Sequence, residues 1–263
     1  MVFRPLQAQR KNIWTFCAEN DILALVGNAV PGVPPGAMHR IVPGHIPNCR
    51  LTADGTPGTA FPTEVKYMNI IYSDRDLAVI IKPVGMDSEH QVPAAIIEKL
   101  GGEIFPIHRR DLNVCGIMVY ARTKFAAAQL SKLVQEGQLV KEYRALVHGT
   151  PPEDGLLEDF LFKDSRKNKV FVVKKERKGV KKASLEYTRL TDADPSLVHI
   201  KLHTGRSHQI RVPFSSRGFP LVGDHKYGSR DEHKEPKLFS CRITFPWKGE
   251  TKVFEAFPEW GNA

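Results

Sequence analysis

A single carboxylate stands out in the segment IHRRDLNVCGIMVYAR, residues 107–122. Asp111 follows two arginines, and the chain after it runs into an apolar stretch typical of a buried strand. The segment contains no second acid and no metal-ligand spacing. Glycoside hydrolysis normally uses two carboxylates across the scissile bond, so this class of chemistry is disfavoured. A lone ionised carboxylate acts instead as a nucleophile or a base, provided that the fold keeps it charged.

The composition indicates a basic globular protein with an uneven charge distribution. The chain has 263 residues, of which 41% are hydrophobic, and a formal net charge of +9. No stretch approaches the roughly 20 apolar residues of a membrane span, and the N-terminus lacks the apolar core of a secretion signal. Residues 163–182 hold ten Lys/Arg and two acids. They form either a solvated hairpin or a surface that follows nucleic-acid phosphates, with Lys174 and Lys175 as candidate contacts.

The cysteines argue against a metal or disulfide framework. Cys17, Cys49, Cys115 and Cys241 form no CxxC pair and no Cys/His cluster, so we expect no metal site and a reducing, cytoplasmic location. No GxxxxGK or GxGxxG segment is present, so the sequence predicts no nucleotide cofactor.

The N-terminal quarter differs from the rest of the chain. Residues 1–65 are rich in Pro and Gly without a sustained period, which predicts an irregular extension ahead of a catalytic domain at 66–263. One hypothesis is that the natural chain starts at Met68, where the regular pattern begins.

Regular elements must position Asp111, and strands dominate them. Residues 92–102 and 123–138 predict helices, the second capped by Thr123. Its expected apolar stripe consists of Phe125, Ala128, Leu130, Leu133 and Val134. Residues 139–149 alternate as a strand that places Tyr143 on one face with Lys141, Ala145 and Val147. Short β-rich runs around these helices predict an α+β fold, a mostly antiparallel mixed sheet with flanking helices.

Five short segments resemble, in order and distance, the RluA-type family of RNA pseudouridine synthases. They are KPVGM (82–86), HRRDLNVCG (108–116), KEYRALVHG (141–149), HTGRSHQIRV (203–212) and PLVGDHKYG (220–228). The family pattern is KP-x-G, HRLD-x-x-T-S-G, K-x-Y, GR-T-HQIR-V-H and P-(I/L)-x-GD-x-x-YG. The resemblance covers about residues 68–258 and implies the catalytic fold of these synthases.

The resemblance implies a role for Asp111 as the carboxylate that attacks a target uridine. The family breaks the C1′–N1 glycosidic bond of a uridine in RNA, turns the uracil and joins C5 to C1′. Asp111 either bonds to C1′ or removes a ribose proton, and both routes require an ionised carboxylate. Arg211 matches the arginine that pairs with this aspartate, and a guanidinium favours the ionised form of a carboxylate whereas burial opposes it. Tyr143 matches the active-site tyrosine, which stacks on the extruded base or assists proton transfer at C5.

The partners implied by the resemblance are ribosomal or transfer RNA, with no membrane, and a monomer is expected. Isomerisation consumes no ATP and moves no electrons, so no cofactor is expected. The candidate RNA-binding residues around the acid are His108, Arg109, Arg206 and His208, which either meet phosphates or fill the gap left by the extruded base. A structural, hydrogen-bonded role is the alternative for each histidine.

The chain departs from the family pattern close to Asp111. Arg110 replaces a leucine, and either binds phosphate or draws the acid into a wrong pair; Val114 and Cys115 replace Thr-Ser, and Cys115 is expected to be a buried filler. Pro213 replaces a histidine, and would cost about 3 kcal/mol if its helix began near Ser207.

Two smaller expectations complete the sequence analysis. Gly205 is expected in a turn that no side chain fits, and Asp224 either shapes the pocket floor or is only a turn residue. The departures near Asp111 also leave open an alternative function, a catalytically impaired, synthase-like RNA-binding protein, for example in ribosome assembly.

Overall fold

The computed structural model describes residues 68–261 and, before them, the backbone of a short strand at 38–40. The strands are β1 Met38–Arg40, β2 Asn69–Ser73, β3 Leu77–Lys82, β4 Phe105–Pro106, β5 Cys115–Ala121, β6 Val140–Val147, β7 Asp154–Asp164, β8 Lys169–Val173, β9 Val180–Arg189, β10 Ser196–Leu202, β11 Leu238–Trp247 and β12 Glu250–Glu255. The α-helices are α1 Gln91–Leu100, α2 Lys124–Gln135 and α3 Arg211–Ser216. None of the described helices has the length and apolar character needed to cross a membrane.

One mixed sheet contains all the described strands. Its main path runs β2-β3-β5-β11-β6-β10-β9-β7-β8, with β12 beside β11 and β4 beside β5. The pairs β5–β11 and β1–β12 are parallel, and the other pairs are antiparallel. The predicted α+β class with a mostly antiparallel sheet is therefore confirmed.

Part of the N-terminal segment is regular. The sequence predicts irregular chain for 1–65, whereas Met38–Arg40 pairs with Val253–Glu255 of β12. The other residues of that segment lie outside the described residues. The hypothesis that the natural chain starts at Met68 stays a prediction.

The second helix begins as predicted but buries a narrower stripe. Thr123 Oγ1 accepts a hydrogen bond from the Ala126 backbone N–H at 3.1 Å, which caps α2. Ala126 and Leu130 are fully buried, whereas Phe125 is 63% exposed. Ala128 is also exposed. The predicted stripe is therefore wrong at Phe125 and Ala128. The face that packs on the sheet contains Ala126 and Leu130, which are four residues apart, and does not contain Phe125.

Strand β6 carries different chemistry on its two faces. Tyr143, Ala145 and Val147 are buried in one apolar cluster with residues of β9, β10 and α3. On the opposite face, the Glu142 carboxylate is hydrogen-bonded to His199 of β10, with 2.8 Å between Oε2 and Nε2. This alternation, predicted from the sequence, turns Tyr143 toward α3 and the loop before it.

Helix α3 begins later than the sequence suggests. It starts at Arg211 rather than near Ser207, so Pro213 lies in its first turn. The first backbone N–H groups of a helix have no partner within that helix, so the missing N–H of a proline costs little there. The predicted cost of about 3 kcal/mol therefore does not apply, because its condition, a helix that begins near Ser207, is not met.

Candidate active site

A cleft of about 750 Å³ opens between the loops that carry the predicted motifs. Among the described residues, its charged lining other than histidine consists of one carboxylate and seven cations, namely Asp111 with Arg109, Arg110, Lys141, Lys163, Lys181, Arg206 and Arg211. Its volume lies in the usual range of ligand pockets. The strong excess of positive charge suits a polyanionic ligand.

Two carboxylates share Arg211 at the base of this cleft. Arg211 Nη1 donates to Asp111 Oδ2 at 3.2 Å, while its Nε and Nη2 form a bidentate pair with Asp224, both at 2.7 Å. Asp224 is 1% exposed and Arg211 is 6% exposed. Asp224 is thus the main anchor of Arg211, and the interpretation of Asp224 as only a turn residue is wrong. Asp224 holds the guanidinium through Nε and Nη2, so that Nη1 is left to donate to Asp111.

A second contact to Asp111 comes from His208. Its Nε2 lies 3.7 Å from Asp111 Oδ2, and its Nδ1 is hydrogen-bonded to the Tyr227 hydroxyl. Burial lowers the pKa of His208 to about 4; Asp111 opposes this effect, and Arg211 and Lys226 add to it. The ring is therefore neutral near pH 7.

The backbone around Asp111 is fixed by a buried lysine. Lys82 is fully buried, and its ammonium donates to the carbonyls of Pro83 (2.7 Å), Met86 (2.9 Å) and Leu112 (3.0 Å). Burial, together with the charge of Arg110, lowers the pKa of Lys82 to about 8. The KPVGM turn thereby holds the residue that follows Asp111.

Tyr143 lines the cleft beneath Arg110. Tyr143 is 9% exposed, and the Arg110 Cζ lies 5.4 Å from the centre of its ring, within cation–π range. Arg110 also donates to the carbonyls of Cys115 (3.0 Å) and Ile117 (2.7 Å). Arg110 is thus tied to the backbone of β5, and Asp111 keeps its pair with Arg211. Burial raises the pKa of Tyr143, so its phenol stays protonated at neutral pH.

The remaining predicted RNA-binding residues fall into different places. Arg109 is exposed at the rim, 4.0 Å from Glu89, and Arg206 is exposed with its Nε bonded to the Lys182 carbonyl at 3.1 Å. His108 lines the cleft and accepts a bond from the Val119 N–H at 3.4 Å; burial, followed by the charges of Lys141 and Arg110, lowers its pKa well below the usual value. All three, like His208, line the cleft.

Lys174 and Lys175 are exposed residues after β8, outside the lining of the cleft. Other basic residues of the same segment, Lys163 and Lys181, reach the cleft from β7 and β9. The basic segment is thus a hairpin that presents only some of its charges to the cleft.

Two small residues behave differently from each other. Gly116 has φ +121°, and a Cβ there would lie 2.5 Å from the Ser240 backbone N and O, so β5 and β11 approach too closely for a side chain. Gly205 has no positive φ, and the nearest atom to an added Cβ is Lys141 Nζ at 3.8 Å. The expectation that no side chain fits at Gly205 is therefore wrong.

Cys115 is 4% exposed and packs in an apolar cluster, as predicted for a buried filler.

Sequence reasoning missed Lys141 as a residue that lines the cleft, and it missed Lys82 and Tyr227 as buried residues that hold Leu112 and His208 beside it. All three lie in segments that carried the resemblance, so the motifs contained the signal, but no residue-level role followed from it. Lys141 lines the cleft together with Arg110, and burial, followed by the charge of Arg110, lowers the pKa of Lys141 to about 8.

Comparisons with known proteins identify the family to which this chain is similar. The family model described as RNA pseudouridylate synthase matches residues 76–216. A protein of Aquifex aeolicus, described as an uncharacterized RNA pseudouridine synthase, is 34% identical over 72% of this chain and 68% of that protein. The ribosomal large subunit pseudouridine synthase D of Zymomonas mobilis is 30% identical over 61% of this chain and 56% of that protein. Among solved structures, the human RNA pseudouridylate synthase domain containing 1 has a TM-score of 0.66 and 24% identity, and the match covers 76% of this chain and 86% of that one.

The chain therefore belongs to the RNA pseudouridine synthase family. The resemblance to the RluA type and the expected fold are both confirmed at the level of the family.

Proposed function

We propose that this protein isomerises specific uridines of ribosomal or transfer RNA to pseudouridine, with Asp111 as the catalytic carboxylate. The observation that carries the proposal is the position of Asp111, which is paired with Arg211 at 3.2 Å inside a cleft whose other charges are positive. Both routes of the reaction require an ionised carboxylate, and the guanidinium of Arg211 is the cation that holds Asp111 in place.

The roles of the surrounding residues follow from their contacts. Arg211, held by Asp224, orients Asp111 at the C1′ carbon of the bound uridine. Tyr143 offers its ring as a stacking surface for the extruded uracil, a contact worth about 1–3 kcal/mol per base. Asp111 either bonds to C1′ or removes a ribose proton; the glycosidic bond breaks, the uracil turns, and C5 joins C1′ as the C5 proton leaves.

RNA binding follows from the charge of the cleft. Arg109, Arg206, Lys163 and Lys181 line it, and each contact with a phosphate releases a counterion. His108 is expected to contribute least to phosphate binding, because its ring is neutral and accepts a hydrogen bond from the Val119 N–H. Lys174 and Lys175 are proposed to meet RNA beyond the cleft. We further propose that the protein works as a cytoplasmic monomer, in keeping with a sequence whose four cysteines form no CxxC pair and no Cys/His cluster.

Release of tritium from RNA labelled at uridine C5 tests the proposal directly. Transcripts of ribosomal and transfer RNA are incubated with the native chain, with Asp111→Asn and with Asp192→Asn, whose carboxylate is 88% exposed and pairs with Arg189 on the surface. The native chain and Asp192→Asn are expected to release tritium at similar rates, and Asp111→Asn at least about a thousandfold more slowly.

A parallel measurement of RNA affinity distinguishes an active synthase from an impaired, synthase-like RNA-binding protein. Release by the native chain with unchanged RNA affinity in Asp111→Asn supports the catalytic assignment. Tight RNA binding by the native chain without any release supports the alternative, an impaired synthase-like RNA-binding protein. Equal release by the native chain and Asp111→Asn overturns the role of Asp111.

A further inference from the structure

His208, whose side chain lies beside Asp111, has an unusual backbone conformation. Its φ is +52°, a value that residues with a side chain rarely adopt. Among the described residues, the other non-glycine residues with positive φ are Asn168 and Lys248, and both lie in turns between paired strands. His208 lies instead in the turn that leads into α3, with its side chain 13% exposed. Strained backbone of this kind persists where the surrounding contacts hold it.

The contacts of Tyr227 decide which ring nitrogen of His208 carries the hydrogen. The Tyr227 hydroxyl oxygen accepts a hydrogen bond from the Val170 backbone N–H at 2.9 Å. Its own hydrogen is then left to donate, and His208 Nδ1 is hydrogen-bonded to it. If Nδ1 carried a hydrogen as well, the phenolic hydrogen would lose this acceptor in a mostly buried place, which is costly. A neutral His208 therefore has its hydrogen on Nε2.

We propose that His208 is a positioning residue for Asp111, a neutral imidazole that Tyr227 fixes as the Nε2–H tautomer so that it donates to the carboxylate. Nε2 lies 3.7 Å from Asp111 Oδ2, the same oxygen that accepts from Arg211. Movement of a few tenths of an ångström on substrate binding brings this pair into hydrogen-bond range. Two donors of different charge, a guanidinium and a neutral imidazole, then orient one oxygen of Asp111 and leave Oδ1 for the nucleotide.

The surroundings of the ring keep it neutral. The charged groups that face His208 are Asp111 from the catalytic loop, Arg211 from α3, and Asp224 and Lys226 from the following turn. Burial lowers the pKa of His208 to about 4. The inference rests on the proposed function for its catalytic consequence, but the tautomer itself is a property of the folded chain.

The tautomer is measured by nuclear magnetic resonance of the full chain labelled with ¹⁵N-histidine, at pH 7. Long-range ¹H–¹⁵N correlations are expected to show Nε2 protonated and Nδ1 as an acceptor for His208. In Tyr227→Phe the ring packing is retained and only the hydroxyl is lost, so a mixture of tautomers is expected. A native His208 that is protonated on Nδ1, or on both nitrogens, overturns the proposal even if the protein is an active synthase.

Paired substitutions test the effect on Asp111. In His208→Gln the side-chain amide reaches the place of Nε2 and keeps a donor, whereas in His208→Asn the shorter amide does not. We expect tritium release to fall about ten- to a hundredfold in His208→Asn, as is typical for residues that orient a catalytic group, and less in His208→Gln. His225→Asn, in the exposed part of the neighbouring turn, is the control and is expected to keep the native rate.

The split between kcat and KM distinguishes positioning from a general loss of fold. A contact that orients Asp111 acts on the reacting group, so its loss lowers kcat and leaves the KM for RNA nearly unchanged. His208→Asn is expected to show this pattern, with His208→Gln closer to the native kcat. The same loss of kcat in both variants, or a rise in KM that accounts for the whole loss in His208→Asn, assigns His208 a structural role and overturns the proposal. If the native chain releases no tritium on any RNA, the proposed function fails, and the tautomer measurement still decides the arrangement of His208.

Discussion

Arg211 and Asp224 form the most buried ion pair of the cleft. Both are more than nine-tenths buried, and the pair is bidentate with both distances at 2.7 Å. Removing one partner of such a pair leaves a buried charge without compensation, which costs about 3–5 kcal/mol. The same pair holds the guanidinium that Asp111 contacts, so its loss affects stability and the site together.

We expect Asp224→Asn to lower the free energy of unfolding by about 3 kcal/mol, because the Arg211 charge loses its bidentate partner. Urea denaturation measures the change, with Asp192→Asn as the matched control. That control breaks only a surface pair with an 88% exposed carboxylate, so its effect should stay below about 1 kcal/mol. Equal effects of the two variants would contradict the structural weight given to Asp224.

Lys141 introduces a pH dependence of stability at alkaline pH. Burial, followed by the charge of Arg110, lowers the pKa of Lys141 to about 8, below the roughly 10.4 of an unfolded lysine. Between these values the unfolded chain binds a proton that the folded chain has released, so stability rises with pH in this window and is lost as pH falls through 8. Lys82, with a pKa of about 8, contributes in the same direction.

We therefore expect Lys141→Met to lose about 1 kcal/mol of the rise in unfolding free energy that native protein shows between pH 8 and 9. Urea midpoints at the two pH values measure it. Lys132→Met on α2, where the side chain is 68% exposed, is the control and should keep the native rise. A slope in Lys141→Met that equals the native one would refute the assignment.

At the scale of elements, the close approach of β5 and β11 positions the catalytic loop. The two strands pair in parallel at Cys115 and Gly116, directly after the turn in which the Val114 N–H donates to the Asp111 carbonyl. This junction fixes where the loop leaves the sheet. A glycine is required there because a Cβ would overlap the Ser240 backbone.

We expect Gly116→Ala to destabilise the fold by about 3 kcal/mol or more, since it combines steric overlap with a positive φ. Gly205→Ala is the matched control, because its Cβ would meet nothing closer than 3.8 Å, and its effect should stay within about 1 kcal/mol. Thermal or urea unfolding of both variants gives the comparison. A tolerated Gly116→Ala would show that β5 and β11 separate more easily than their contact suggests.

At the scale of the whole molecule, the sheet separates two charged surfaces. Neighbouring residues of β9 point to opposite faces: Lys181 lines the cleft, and Lys182 pairs with Glu158 at 3.1 Å. Cations from β6, β7 and β9 thus reach the cleft only because these strands lie side by side in the order given by the sheet.

We expect Lys181→Ala to weaken RNA binding and to reduce the slope of log affinity against log salt by about 1, as for the loss of one phosphate contact. Lys182→Ala should leave the slope nearly unchanged because its charge lies on the other face and is paired. Filter binding or fluorescence anisotropy at several salt concentrations measures both. Equal slopes for the two variants would contradict the cleft as the path of the RNA backbone.

The sequence by itself determined the class of the fold, most of its elements and the family. Period-2 and period-3.6 patterns report which face of an element is buried, and motif spacing brought Asp111, Tyr143 and Arg211 to attention. The local patterns failed at two places. Helix α3 begins at Arg211, four residues later than predicted, and α2 packs on the sheet through Ala126 instead of Phe125.

Only the tertiary structure decided the partners of these residues. Asp111 lies 100 residues from Arg211 in the chain. Asp224, Tyr227 and Lys82 are hydrogen-bonded to Arg211, to His208 and to the Leu112 carbonyl, which lie 13, 19 and 30 residues away. A hydrogen bond depends on distances of a few tenths of an ångström, and strand register and loop packing set those distances, which no local periodicity encodes. For the same reason the sequence left Arg110 with two roles, whereas the fold ties it to the carbonyls of β5.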